Sequence, residues 1–164
     1  MAFTNLPPQF ANVIGQLSLD DIQINQAFEY YHQRFMHSDL ARVFVNESER
    51  IPKDVRNSEF IGYCDRTMGK SIPPRRSFEG GAIRGALQRC GLVRASGHEL
   101  FRGCVVFPSM NEAGEIVSAI GYRVAPRIRE WDKPVVIWTR PSPEDFEVKG
   151  MNIARELIHA KTVH

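Results

Sequence analysis

The chain has 164 residues, 43% of them hydrophobic and 24% charged, which is one domain's length with enough apolar material for a core and excludes bulk disorder or two full-sized domains. No apolar run is long enough to span a bilayer, and the start, MAFTNLPPQF, has neither a basic nor an apolar signal region, so a cytoplasmic protein without a membrane partner is expected. The net charge of +2 hides an asymmetry: residues 1–65 carry five basic and nine acidic residues, residues 66–140 thirteen and six, and such a basic middle points toward a polyanionic partner.

In chain order, Pro8 opens a short helix predicted over 8–17, since proline is tolerated in a first turn. Ser18 reads as the N-cap of a second helix, over about 20–36, with Asp21 three positions on. Ala27, Phe28, Tyr31 and Phe35 give that helix one apolar face. Ser38 caps a further helix that turns Leu40, Ala41, Phe44 and Val45 inward, and Pro52 opens another helical turn. Residues 59–63, EFIGY, read as a strand, and the Pro-rich, basic stretch 64–77 as a loop. Ser77 caps a helix that ends at Cys90, with Gly91 in the C′ position. Gly80, Gly81 and Gly85 lie inside this helix. Each costs about 1 kcal/mol relative to alanine, so the helix needs tertiary packing or the glycines admit a neighbouring backbone. Two β-rich runs, 103–109 and 115–124, flank MNEAG and form a hairpin with Gly114 available for positive φ. Residues 135–139 give a third strand and 150–161 a final helix with Ile153, Leu157 and Ile158 on one face. The expected class is α+β: a small antiparallel sheet with a central hairpin, flanked by N-terminal helices and a C-terminal helix.

Three widely spaced cysteines and five scattered histidines supply no zinc-ligand spacing. Cys90 and Cys104 read as small buried apolar residues. No nucleophile elbow, phosphate loop or zinc-protease motif is present. The pairs Asp20-Asp21 and Glu144-Asp145 read as solvated helix caps. No catalytic residue, metal or cofactor is expected.

The basic segment offers more. Arg75 and Arg76 lie in the loop, Arg84 on the following helix, and Arg102 just before the hairpin. Arg123, Arg127, Arg129, Lys133 and Arg140 follow, interleaved with Phe101, Phe107, Tyr122, Trp131 and Trp138. Guanidinium groups contact phosphates and exposed aromatic faces stack on unpaired bases, so this mixture suits a single strand better than a duplex groove. Phe107 and Tyr122 read as core, whereas Trp131, among Arg129, Glu130, Asp132 and Lys133, is the aromatic expected at the surface.

Several local patterns share one order. Ala27-Phe28-Glu29-Tyr30-Tyr31, Phe60-Ile61-Gly62-Tyr63 and Gly91-Leu92-Val93 precede Phe101-Arg102-Gly103-Cys104-Val105-Val106-Phe107-Pro108. Gly121-Tyr122-Arg123-Val124, Ser142-Pro143-Glu144 and Lys149-Gly150 follow. In this the chain resembles the N-terminal subdomain of the catalytic core of bacterial DnaG-type DNA primases. The matched region is 27–150, preceded by a helical extension over 1–26 and followed by a C-terminal helical piece over 151–164, all within a single domain. The resemblance implies one wall of a primase cleft, with Arg102, Arg123, Lys133 and Lys149 facing template and nucleotide. It departs from the family at Cys104, which stands where an F-R-x-R motif has its second arginine. The family's zinc ribbon and its metal-binding Toprim domain have no counterpart in these 164 residues.

The expectation is therefore a non-catalytic protein that binds single-stranded DNA, an accessory or regulatory factor in replication or transfer of a mobile genetic element. Two alternatives stand beside it. One is a subunit of a split primase whose metal-binding carboxylates come from another chain, since phosphoryl transfer by that route needs carboxylate-bound metal. The other is a regulatory protein-interaction module that no longer binds DNA.

Overall fold

A computed structural model describes residues 8–125 and 129–142, with side chains from residue 19 onward. The elements are α1 (Pro8–Met36), α2 (Asp39–Glu47), a 3-10 turn (Lys53–Val55), β1 (Gly62–Tyr63), α3 (Met68–Ser71) and α4 (Phe78–Arg89). They continue with β2 (Cys104–Met110), β3 (Ile116–Arg123) and β4 (Val135–Thr139). The strands form one antiparallel sheet in the order β1-β2-β3-β4. The class is α+β, as expected. Among the described residues no helix is long and apolar enough to cross a membrane.

The sheet works because β2 alternates. Cys104 and Val106 face a core of Ile24, Phe28, Tyr31, Leu87 and Trp138, while Val105 and Phe107 face a second core with Phe35, Ala41, Val45 and Ile51. One strand thus feeds two apolar clusters, as its period of two allows. Phe107 is buried edge-on against Tyr122. Trp138 is buried as well, and its indole Nε1 donates to the Cys90 carbonyl at 2.8 Å, pinning β4 to the end of α4. The three cysteines are free and buried.

The hairpin, the caps at Ser38 and Ser77 and the positive φ of Gly91 and Gly114 follow the sequence. Ser38 Oγ accepts from Ala41 N at 3.1 Å, and Ser77 Oγ from Gly80 N at 2.9 Å. Four features differ. First, α1 runs unbroken through Ser18 and across residue 26, so Ser18 is no cap and Asp20-Asp21 do not start a helix. Asp20 is instead buried, and both its oxygens accept from Arg89 of α4, at 2.8 and 3.2 Å. Asp21 pairs with Arg140. Second, Leu40 is 65% exposed; only Ala41 and Val45 of α2 are fully buried. Third, the strand expected over 59–63 shrinks to Gly62–Tyr63, because the Ile61 carbonyl bonds His32 Nδ1 at 2.8 Å. Fourth, the loop 64–77 contains the short helix α3. The expected helix over 150–161 and the pair Glu144-Asp145 lie outside the described residues.

Candidate nucleic-acid interface

Two depressions meet at the base of the hairpin. The larger, about 670 Å³, runs between α3, α4 and the segment 93–102, and is lined by Arg66, Arg75, Arg84 and Arg102. The smaller, about 240 Å³, is lined by Arg94, Arg102, Arg123, Trp131 and Lys133. Ser96, His98, Glu99 and Arg102 belong to both, so the two form one cleft with Arg102 at its waist.

Local chemistry sets this shape. α4 turns Gly81, Arg84, Gly85 and Gln88 toward the cleft, a stripe at helical spacing. The two glycines leave a shallow floor there. On the opposite side, Val93 and Glu99 form an isolated bridge, and Arg102 N donates to the Glu99 carbonyl at 3.3 Å. Gly103, at φ +74°, then turns the chain into β2. Its N–H donates to the Cys64 carbonyl at 2.8 Å, and its carbonyl accepts from Val124 N at 2.8 Å. A Cβ on Gly103 would lie 3.3 Å from Arg66 Nη2 and 3.7 Å from Arg123 Nη1. Two guanidiniums therefore flank the turn. Arg66 reaches it from a left-handed backbone, φ +70°, a conformation uncommon outside glycine that is found at functional sites.

The sequence-predicted residues divide. Arg75, Arg102 and Lys133 are exposed and line the cleft. Arg75 reaches across to the far side, where its Nη2 lies 3.3 Å from the position of a Gly97 Cβ. Trp131 is 76% exposed at the edge of the smaller depression, with the Arg129 guanidinium 5.6 Å from its ring centre. Arg123 lines the cleft, but its guanidinium also braces the backbone, donating to the carbonyls of Lys133 at 3.0 Å and Arg102 at 3.1 Å. Arg84 donates to the carbonyls of Pro73, Gly80 and Gly69. Arg76 is exposed and lines neither depression. Arg140 lies elsewhere, held by the Ile116 carbonyl at 2.7 Å and by Asp21. Arg127 and Lys149 lie outside the described residues.

Sequence reasoning missed Arg66, Arg94, His98 and Glu99 as lining residues, and it did not single out the surface aromatic Phe78. That side chain is 94% exposed at the first position of α4. It stands three residues before Gly81, at the N-terminal end of α4, and lines neither depression. The signal was available: an aromatic right after an N-cap serine, beside Arg75-Arg76.

Two carboxylates, Glu99 and Asp132, interrupt the basic lining. Glu99 is half-buried, and burial raises its carboxyl pKa above the ordinary carboxylate range. Its Oε1 accepts from Tyr31 Oη and Cys64 Sγ, both at 3.3 Å. Burial pushes the Tyr31 hydroxyl and the Cys64 thiol well up, so both stay protonated as donors. The Cys104 thiol is pushed up to about 11 by burial, opposed by the charges of Arg123 and Arg66.

No family model and no curated protein matches the sequence. Solved structures do match in fold. A DnaG primase catalytic domain bound to single-stranded DNA shares 16% identity at a TM-score of 0.53, over 79% of this chain and 41% of that one. The zinc-binding and RNA polymerase domains of the Aquifex aeolicus primase give 14% and 0.55, over 87% and 32%. The RNA polymerase domain of Mycobacterium tuberculosis DnaG gives 20% and 0.50, over 77% and 40%. This chain spans about a third to two-fifths of those proteins. The likeness establishes the fold of a primase-like subdomain.

Proposed function

We propose that this protein binds single-stranded DNA along the cleft, as a primase-type module that holds a strand without polymerising on it. The carrying observation is the set of basic residues lining the two joined depressions, Arg75, Arg66, Arg102 and Lys133, with an exposed tryptophan at one end. Guanidiniums in that lining neutralise phosphates, and Trp131 offers a face to an unpaired base. The cleft lies at the start of the central hairpin, within the motifs whose resemblance to a primase implies a template-facing wall. A structurally similar DnaG catalytic domain is bound to single-stranded DNA, which supports the reading. The cleft offers two carboxylates, Glu99 and Asp132, so a polymerising metal would draw on carboxylates from elsewhere. An accessory role in replication or transfer of a mobile element suits a strand-holding module of this kind.

Fluorescence titration with labelled single- and double-stranded oligonucleotides at several salt concentrations tests it. Single strands should bind more tightly, with a salt slope of about 0.7 per phosphate contact. Reversing Arg102 and Lys133 to glutamate should lower that slope by about 0.7 for each residue. Absent binding, or binding equal for both forms and indifferent to salt, would sink the proposal.

One feature favours a second reading, a subunit of a split primase. On the sheet face that carries the second core, β3 and β4 leave Ile120, Val135 and Ile137 exposed, the last at 68%. In that case primer synthesis would appear only on adding a chain that carries the metal-binding carboxylates.

A further inference from the structure

Glu99 is the cleft residue that phosphate binding leaves unexplained. It sits where the two depressions join, beside arginines. Yet the ion pairs among the described residues join Arg34 to Asp65, Arg42 to Asp39, Arg89 to Asp20 and Arg140 to Asp21. None takes up Glu99. Its carboxylate is held from behind by two neutral donors, Tyr31 and Cys64, which together occupy both lone pairs of Oε1. Oε2 has no hydrogen bond within the described residues and is not among the sealed polar atoms, so it opens to the cleft. Tyr31 is fully buried and packed against Phe28, and the Cys64 backbone is tied to β2. Both donors are therefore fixed, and they fix the carboxylate.

A fixed carboxylate repels a phosphodiester, so the part of a strand that faces Oε2 must be a hydrogen-bond donor. In a single strand the base edges are unpaired and free to supply one. Carboxylates accept from the exocyclic amino group of cytosine. Uracil and thymine place a carbonyl oxygen at the same position, and their ring N–H lies between two carbonyls that the carboxylate repels. Resting on the single-strand reading above, we infer that Glu99 reads one base of the bound strand by accepting a hydrogen bond at Oε2 from its exocyclic amino group.

The test compares homopolymeric dC and dU oligonucleotides of equal length, which carry the same backbone and ring size and no methyl group. The wild-type protein binds the dC oligomer about fivefold more tightly, the low end of base discrimination for a single rather than bidentate contact. Glu99→Gln keeps an acceptor for Tyr31 and Cys64 and turns an amide N–H toward the cleft. Its dC to dU affinity ratio falls to about one or reverses, with folding checked by circular dichroism. Should that variant fail to fold, dC oligomers with both N4 hydrogens replaced by methyl groups carry the test, and the wild-type preference over dU disappears. Equal, salt-dependent binding of dC and dU by the wild type overturns the inference and leaves the single-strand reading standing. So does a preference that survives Glu99→Gln or N4 methylation. Failure of both oligomers to bind overturns both.

Discussion

Substituting Gly80 and Gly81 separately by alanine gives opposite results on adjacent positions of one helix. Helix propensity alone favours alanine by about 1 kcal/mol at either site. At Gly81 the added Cβ meets only the Arg75 carbonyl at 3.8 Å, an ordinary contact, so the gain survives. At Gly80 the Cβ would lie 2.2 Å from the Pro74 carbonyl oxygen and 2.4 Å from that of Pro73. These are backbone atoms, and they are tethered. Pro74 O accepts from Ser77 N at 2.9 Å and Ser77 Oγ at 2.6 Å, and Pro73 O accepts from Arg84 Nη1 at 2.6 Å. Making room costs about 1–3 kcal/mol of strain. Each hydrogen bond lost in moving the turn adds about 1 kcal/mol. The propensity gain offsets part of this, leaving a net loss of about 3 kcal/mol. For a domain of this size that lowers Tm by about 6–12 °C, whereas Gly81→Ala raises it by about 2–4 °C. Thermal and urea unfolding of the two variants beside the wild type decide the matter. A Gly80→Ala protein as stable as Gly81→Ala would refute the packing argument.

Asp20→Ala leaves the Arg89 guanidinium without its buried carboxylate partner and lowers unfolding free energy by about 3 kcal/mol, read from urea titrations. Trp131→Ala weakens single-strand binding by about 1–3 kcal/mol while leaving its salt slope unchanged, because stacking releases no counterions. A changed slope with unchanged affinity would reassign that side chain. Glu99→Gln also alters the pH dependence of stability. Burial raises the folded-state pKa of Glu99, so its ionised form costs the fold stability near neutral pH. That cost is relieved as pH falls through the folded-state value toward the unfolded one. The variant is therefore the more stable protein at pH 7, and its advantage shrinks on acidification; a gap independent of pH would argue against the assignment.

The elements with local signals were legible. Ser77 and Gly91 bracket α4, Gly114 closes the hairpin and Ser38 starts α2, because caps and turns are set by neighbours in sequence. The continuity of α1 was not. Serine and aspartate at 18–21 resemble a helix start, yet Asp20 and Asp21 are claimed by Arg89 and Arg140, 69 and 119 residues away. The same pairing bears on the charge pattern. Counted along the chain, Arg84, Arg89 and Arg140 belong to the basic segment, but the fold commits them to carbonyls and carboxylates. Arg66 and Glu99 escaped notice for the complementary reason. Each carries an ordinary local pattern, and only the meeting of 64–66 with 99–104 puts them on one cleft wall.

The double-faced strand β2 has a dynamic consequence. Because Cys104 and Val106 serve one core while Val105 and Phe107 serve the other, neither cluster can open alone without dragging the strand out of both. Amide exchange in β2 should then require global rather than local opening and be the slowest in the chain. The turn at Gly103 is tied directly to that strand and to Cys64. The cleft waist is thus set by the fold itself, so a strand held there as proposed would be the partner that adapts, at little reorganisation cost to the protein.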